Sequence, residues 1–421
     1  MTELTTDYVA SLGRAAAEVM SSGEWLIGHD TRESGPVLEE ALMAGLAAGG
    51  AVPLRAGVLP TPALAYLSAL HGLPAAMITA SHNPWEDNGV KIFAPGGLKL
   101  SDETERAIEA LIRADVDVSV QDNLGRSITA TPYFDYLVDT IGRQGLRGLR
   151  IVVDCANGAM FEAAPEVVRR LGADMIVINA EPNGRNINDH CGATYPATLS
   201  GAVVSNAADI GLAFDGDGDR LIAVDHLGNV VDGDRMIALA ALQLRDEGQL
   251  TDDTVVVTVM SNLGFHKAMD AAGIKVITTA VGDRSVLEAL DAGNFAIGGE
   301  QSGHIVYRHL ATTGDGLLAG LRLAAYVRNR EKSLAELAGE VMTSYPQVLV
   351  NVKVAHRHPN VDVELAAEIA AALESLDGEG RILVRSSGTE PLIRVMVEAA
   401  NQPLAQATAD TLAEVVLARF G

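Results

Sequence analysis

The chain of 421 residues is long enough for about three domains of ~150 residues and for a core that needs no disulfide support. Its 31 Lys and Arg against 55 Asp and Glu leave a formal charge of −24, which repels nucleic-acid phosphates and anionic membranes, so an anionic ligand must meet a local cluster of positive groups. Two cysteines, Cys155 and Cys191, exclude a disulfide framework and point to a reducing, cytoplasmic setting; MTELTTDYVASLGRAAAEVM does not read as a signal peptide, and no run of ~18 apolar residues suits a membrane span.

Short runs rich in Ile, Val and Ala alternate with longer Ala/Leu/Glu stretches of helical spacing, the α/β pattern of parallel sheets with crossover helices. The first third predicts a strand over 25–30, a helix over 36–49, a strand over 51–56, a helix over 62–72 and a strand over 75–80 that runs into Ser81. The scheme recurs with a strand over 150–159, a helix through 171, a strand over 174–180, a helix near 197–206 and a strand over 209–214 ending at Asp215. A third unit has a strand over 254–260, a helix after Asn262, a strand over 274–280, a helix after Gly282 and a strand over 295–300 ending at Glu300. Beyond 343 the pattern changes: an alternating strand over 345–357, a helix over 361–376, strands over 381–387 and 391–400 and a helix over 404–420 predict a separate α+β domain. Candidate joints are 121–132, the stretch after Asp225 and the surroundings of Ser344. Three similar units offer three loops at the carboxyl ends of strands, where ligands bind in open α/β sheets.

In ITASHNPWEDNGVKIF, Ser81 sits just past a strand beside His82 and Asn83, with Lys91 ten residues on. A serine there serves as nucleophile or phosphate carrier, or simply as a turn former. Adjacent residues on an extended chain point apart, so His82 is a poor activator of Ser81. FDGDGDR alternates Asp215, Asp217 and Asp219 with Gly216 and Gly218, which lets carboxylates converge on Mg²⁺ or Ca²⁺. An EF-hand is excluded, because its sixth and twelfth positions hold Arg220 and His226 rather than Gly and Glu. Without a cation each pair of these charges at ~4 Å would cost roughly 4 kcal/mol at an effective dielectric of 20.

IGGEQSGHI offers Glu300, Ser302 and His304 at alternate positions, a set able to hydrogen-bond adjacent sugar hydroxyls, although a lone histidine such as His304 is more often a satisfied structural residue than a catalyst. VRSSGTEPLIRVMV gathers Arg385, Ser386, Ser387, Gly388, Thr389 and Arg394 within ten residues, with guanidinium forks and a tight turn suited to a phosphate dianion. GHDTRESG opens a helix, and its Asp30, Thr31, Arg32 and Ser34 read first as caps and second as an anion approach. Cys155 and Cys191 lack a C-x-x-C motif and read as structural.

TASHNP, FDGDGDR, GGEQSGH and RSSGTEPLIRVMVE, in this order, resemble the loops of the α-D-phosphohexomutase family, over essentially the whole chain. The resemblance implies three similar α/β domains with mixed sheets and a C-terminal α+β domain around a central active-site cleft, divided at 1–134, 135–235, 236–344 and 345–421. It further implies that Ser81 carries a phosphoryl group and, with Asp215, Asp217 and Asp219, holds one Mg²⁺. Lys91 and Arg220 would add positive charge, and His304 or Lys91 would move the hydroxyl proton. Glu300, Ser302 and His304 would read the sugar, while Arg385, Ser387, Gly388 and Thr389 hold the phosphate that is not reacting.

A sugar bisphosphate would be both intermediate and activator, and the partner a small phosphosugar, with no nucleic acid, no membrane and at most a second copy of the chain. VVDCANGA, NGRNINDHCGAT, VGDR, GEQSGH and RSSGTEP look most like the bacterial members that interconvert glucosamine 6-phosphate and glucosamine 1-phosphate. Phosphomannomutase or phosphoglucomutase activity is the near alternative, and a Mg²⁺-dependent phosphatase leaves Ser81 and the arginine loop unexplained. Relatives usually begin with a strand and a segment of the type F-G-T-D-G-V-R-G, whereas this chain starts at MTELTTDY, so a mis-set start or a catalytically impaired phosphosugar-binding relative is a further alternative. In TTAVGDRSV, Ser285 stands where relatives commonly have Tyr.

Overall fold

The computed structural model describes residues 4–21, 23–112, 126–387 and 391–421. The chain divides into two compact units, Met1–Val259 with Lys275–Gly339, and Met260–Ile274 with Glu340–Gly421.

The first unit holds three sheets with one repeated plan. Strands β1 (Glu24–His29), β2 (Val52–Val58), β3 (Ala75–Ile78), β4 (Val90–Ala94) and β5 (Leu98–Lys99) lie in the order β2-β1-β3-β4-β5. Strands β6 (Arg150–Asp154), β7 (Asp174–Ile178), β8 (Ile210–Phe214), β9 (Leu221–Asp225) and β10 (Val230–Val231) follow as β10-β9-β8-β6-β7, and β11 (Thr254–Thr258), β12 (Lys275–Thr279), β13 (Ile297–Gly299) and β14 (Ile305–Tyr307) as β12-β11-β13-β14. In each sheet the first strand pairs in parallel with the second and third, and the fourth returns antiparallel to the third. Short apolar strands such as IGLAF, buried at every position, belong in the middle of such sheets. Each sheet also carries an apolar cluster of its own, around Trp25 and Ile27, around Val152 and Ala213, and around Val256 and Val306.

The mixed sheets, with their antiparallel fourth strands, carry the functional loops. The hairpin between β3 and β4 spans Ser81 and brings Lys91 opposite Met77. Those between β8 and β9 and between β13 and β14 contain 215–220 and 300–304. The three chemistry-bearing motifs thus occupy one topological position, repeated three times.

Several predicted boundaries differ. The strand predicted over 150–159 stops at Asp154, because Ala156 and Asn157 take positive φ values of 54° and 48° that no strand accommodates. The helix predicted over 361–376 is broken at Leu365 into Val361–Glu364 and Ala366–Glu374. A helix over Thr6–Met20 goes beyond the predicted elements; Thr5 caps it by accepting from the Tyr8 N–H at 3.2 Å. Both cysteines are buried and unpaired, as their structural reading requires, and burial pushes the Cys191 thiol up to about 12. Among the described residues no helix is long and apolar enough to cross a membrane.

The helix Gly316–Arg330 begins on a buried acid. Asp315 accepts from the Leu318 N–H at 2.9 Å and from the Tyr133 hydroxyl at 3.0 and 3.1 Å. Burial pushes its carboxyl from 3.8 up to about 6, with the Leu318 and Tyr133 hydrogen bonds pulling the other way. A raised acid favours the folded state only while protonated, so its contribution is full below about pH 4 and is lost as pH rises through about 6. Asp315→Asn keeps a capping oxygen and removes this titration. The variant's stability relative to wild type is expected to rise between pH 4 and pH 7, by up to about 3 kcal/mol at about 1.4 kcal/mol per pH unit. Parallel melting curves at the two pH values check this, and a difference independent of pH would contradict it.

In the second unit, β15 (Gln347–Lys353), β16 (Gly380–Ser386) and β17 (Leu392–Ala399) form an antiparallel sheet in the order β15-β17-β16. The C-terminal helix Gln402–Phe420 contributes Ala405, Ala409, Leu412 and Val416 to its core. The helix Leu263–Ala271 belongs to this unit as well, tied by Glu398, whose fully buried carboxylate accepts from the Leu263 N–H at 2.9 Å and from Arg381 Nε at 3.0 Å.

Candidate active site

The loop after β8 supplies three buried carboxylates. Asp215 and Asp217 are 0% exposed and Asp219 5%, and one carboxylate oxygen from each lies within 4.8 Å of the others. Two glycines make the turn possible: Gly218 has φ +75°, and a Cβ on Gly216 would stand 2.5 Å from the Ser81 carbonyl oxygen.

Ser81 Oγ, at the equivalent point of the first repeat, donates to Asp215 Oδ2 at 2.6 Å. Lys91 Nζ, returned by the antiparallel β4, donates to Asp217 Oδ2 at 2.7 Å and to Asp219 Oδ2 at 3.1 Å. Thr61 Oγ1 adds a 2.6 Å bond to Asp217 Oδ2, and the Arg220 N–H reaches Asp215 Oδ1 at 3.1 Å.

Electrostatics sets Asp215 and Asp219 apart. Burial, then the charges of Asp219 and Asp217, push Asp215 well above the usual carboxylate range. Burial would raise Asp219 too, yet Lys91, His304 and Arg220 hold it well below that range. For Lys91 burial alone would lower the ammonium, and Asp217 and Asp219 overcome it, so it stays protonated.

The donor set suits a hard divalent cation. Among the described residues, Asp217 Oδ1 and Asp219 Oδ1 are buried without a hydrogen-bond donor. Buried carboxylate oxygens left unpaired are strongly unfavourable, and oxygen-only ligands are what Mg²⁺ or Ca²⁺ takes. Ser81, Asp215, Asp217 and Asp219, the residues predicted to share a metal, are therefore together.

The third repeat behaves differently from its prediction. Residues 300–303 form a tight turn, with the Gly303 N–H donating to the Glu300 carbonyl at 3.0 Å and Gly303 at φ +92°. Alternate positions in such a turn do not share a face. Ser302 is exposed, and Glu300 is half-buried and accepts from the Gly282 N–H at 3.1 Å. His304, expected beside them as sugar reader or proton carrier, is instead 3% exposed, with Nδ1 3.7 Å from Asp219 Oδ1. Its proximity is one of the influences that hold the Asp219 carboxyl low.

Three further expectations need correction or addition. His82 Nδ1 lies 3.4 Å from Ser81 Oγ, because Ser81 takes φ +50° and the chain there is not extended. Burial, then the charge of Arg220, lowers the His82 imidazolium, leaving a neutral ring beside the hydroxyl. In GHDTRESG, Ser34 stands at the helix N-cap without a side-chain cap bond, and Arg32 is buried at 1% exposure beneath the Ser81 loop. Asn188, which lies within NGRNINDHCGAT but has no role assigned from the sequence, donates to the Ser81 carbonyl at 2.9 Å.

In the second unit, Arg385 and Arg394 are directly paired across β16 and β17, and among the described residues neither has a carboxylate partner. Like charges opposite each other are destabilising unless an anion joins them. Ser387 is buried at the end of β16, while Gly388 and Thr389 lie outside the described residues.

Four family models match in succession: Phosphoglucomutase/phosphomannomutase alpha/beta/alpha domain I over 1–118, domain II over 131–228, domain III over 232–345 and the C-terminal domain over 349–415. A phosphoglucosamine mutase of Desulforamulus reducens is 48% identical, over 99% of this chain and 96% of its own length. One from Mycolicibacterium paratuberculosis is 49% identical, with the same coverage. Among solved structures, a phosphoglucomutase/phosphomannomutase family protein of Burkholderia thailandensis aligns with a TM-score of 0.81 at 25% identity, over 99% of this chain and 94% of that one. A putative phosphomannomutase of Thermus thermophilus shares the fold, with a TM-score of 0.81 at 23% identity, over 98% and 95%. Four domain models in order and full-length relatives near half identity make this chain a member of the phosphoglucomutase/phosphomannomutase family.

Proposed function

We propose that the protein is a phosphoglucosamine mutase, interconverting glucosamine 6-phosphate and glucosamine 1-phosphate through a phosphoryl group carried on Ser81. The 2.6 Å contact of Ser81 Oγ with Asp215, inside a buried acidic triad of which Asp217 and Asp219 accept from Lys91, carries this reading. The choice of sugar is supported by relatives of that name at 48–49% identity.

In the forward half-reaction the bond from phosphorus to Ser81 Oγ breaks and a bond to the free sugar hydroxyl forms, giving a sugar bisphosphate. The second half returns the other phosphoryl group to Ser81, so a trace of bisphosphate activates and the enzyme ends as it began. Mg²⁺ held by Ser81, Asp215, Asp217 and Asp219 would neutralise charge on the transferring group. Lys91, kept protonated by two acids, supplies further positive charge, as does Arg220. The proton lost by the sugar hydroxyl ends on Ser81 Oγ as that oxygen leaves phosphorus, and His82, a neutral ring 3.4 Å from Ser81 Oγ, relays it there rather than the enclosed His304.

Glu300 and Ser302 would read sugar hydroxyls. Arg385, Ser387, Gly388 and Thr389, with Arg394 opposite Arg385, would hold the idle phosphate. A cytoplasmic setting fits two unpaired thiols.

The test is turnover by the purified protein with Mg²⁺ and a trace of sugar bisphosphate, comparing glucosamine, mannose and glucose 6-phosphates. Preferential isomerisation of the glucosamine substrate is expected. Faster turnover of the mannose substrate, or phosphate release without isomerisation, would overturn the assignment.

A further inference from the structure

One side chain outside the acidic triad holds the loop from Ser81 to Asp87. A guanidinium offers five N–H donors in a fixed plane, and in Arg32 all five are used. Nε donates to Asp30 Oδ2 at 2.8 Å, Nη1 to the Pro84 carbonyl and at 2.9 Å to that of Asp87, and Nη2 to the carbonyls of Ser81 at 2.9 Å and Asn83 at 3.0 Å. Four of the five acceptors are therefore main-chain oxygens of one loop. A charge is buried this completely only where each donor is matched, and no donor is left over for a ligand.

The loop needs such a hold. Ser81 at φ +50° is in the left-handed region that serine seldom occupies, and a strained backbone persists only where its surroundings over-determine it. The Ser81 N–H donates to Thr79 Oγ1 at 2.9 Å, and the Thr79 hydroxyl donates to Asp30 Oδ2 at 2.7 Å, the oxygen that Arg32 Nε also meets. The Ser81 carbonyl accepts from Arg32 and, at 2.9 Å, from Asn188 Nδ2. Both main-chain polar groups of the phosphoryl-bearing residue thus refer back to the Asp30–Arg32 pair.

We propose that Arg32 is a positioning residue for phosphoryl transfer, holding the 81–87 loop in the conformation that aims Ser81 Oγ at Asp215 without touching the substrate. This rests on the reading of Ser81 as the phosphoryl carrier.

Arg32→Lys keeps the charge but concentrates three protons at one point, which cannot span four carbonyls. Its kcat is expected to fall about 100-fold, the scale of a ~1 Å misplacement, with KM within about threefold because substrate contacts are untouched. Amide exchange across 80–89 should quicken at least about tenfold while β1 and β8 keep wild-type protection. Asn188→Ala, which removes the second donor to the Ser81 and Asn83 carbonyls, should reproduce the pattern more weakly, and it decides by the same readouts if Arg32→Lys does not fold.

A raised KM with unchanged kcat would make Arg32 a substrate ligand and overturn the proposal. So would unchanged exchange over 80–89, whatever the turnover. If wild type turns over no phosphosugar while exchange in the loop responds, the mutase reading falls and the hold of Arg32 on the loop stands.

Discussion

Ser81→Ala is expected to reduce interconversion of the glucosamine phosphates by roughly 10⁴-fold or more, since no neighbouring group replaces a lost nucleophile. Incubation with labelled sugar bisphosphate should then label wild type and leave the variant unlabelled. The fold should survive, because Ser81 is only partly buried and its hydroxyl bonds to a single acid, Asp215. A second comparison isolates the backbone. With φ at +50°, Ser81→Gly should be the more stable of the two inactive variants by about 1 kcal/mol, the usual cost of a Cβ in the left-handed region. Thermal melts of the pair check this, and substantial turnover by either variant would remove Ser81 from the phosphoryl path.

Lys91→Met carries the second large effect, and it bears on stability as well as rate. Asp217 and Asp219 have side chains 0% and 7% exposed, and Lys91, at 37%, is the cation nearest both. Removing one member of a fully buried ion pair costs about 3–5 kcal/mol; the partial exposure of the ammonium argues for about 2–4 kcal/mol here. In the presence of a chelator the variant should therefore melt well below wild type. Added Mg²⁺ should recover part of the loss, because the two acids then have a cation. Turnover should fall by about 10²–10³-fold with the loss of a fixed positive charge near the transferring group. Equal stability of the two proteins without metal would show that the lysine does not stabilise Asp217 and Asp219.

Both effects follow from a repeat that the sequence announced only through its topology. Three similar strand-helix units, each ending at Ser81, Asp215 or Glu300, were legible because the central strands are short, apolar and bounded by glycine, and that pattern survives without any string of identities. What the topology alone did not reveal was the antiparallel fourth strand of each sheet, which in the first sheet carries Lys91 back to Asp217 and Asp219. Such a strand looks the same in sequence as any half-exposed segment. VKIFA, with burial intermediate at four of five positions, is an example.

His82 and His304 mark the border between the two kinds of information. Their residue types and neighbourhoods are plain in ASHNP and EQSGH, but which way each ring faces depends on turns. A positive φ at Ser81 swings His82 to 3.4 Å from the hydroxyl, and the turn at Gly303 sends His304 inward to Asp219. Alternation of side chains is a property of extended backbone, and neither loop is extended.

The linear order of residues suffices for the α/β class, the change to α+β after residue 343 and the convergence of alternate aspartates around Gly216 and Gly218, because these follow from composition, periodicity and the conformational freedom of glycine. The reach of Arg32 from residue 32 to the carbonyls of 81–87, and of Asn188 to the same oxygens, belongs to the tertiary structure. A main-chain carbonyl has no signature in sequence, so a buried guanidinium that binds four of them is recognised only once the chain has folded.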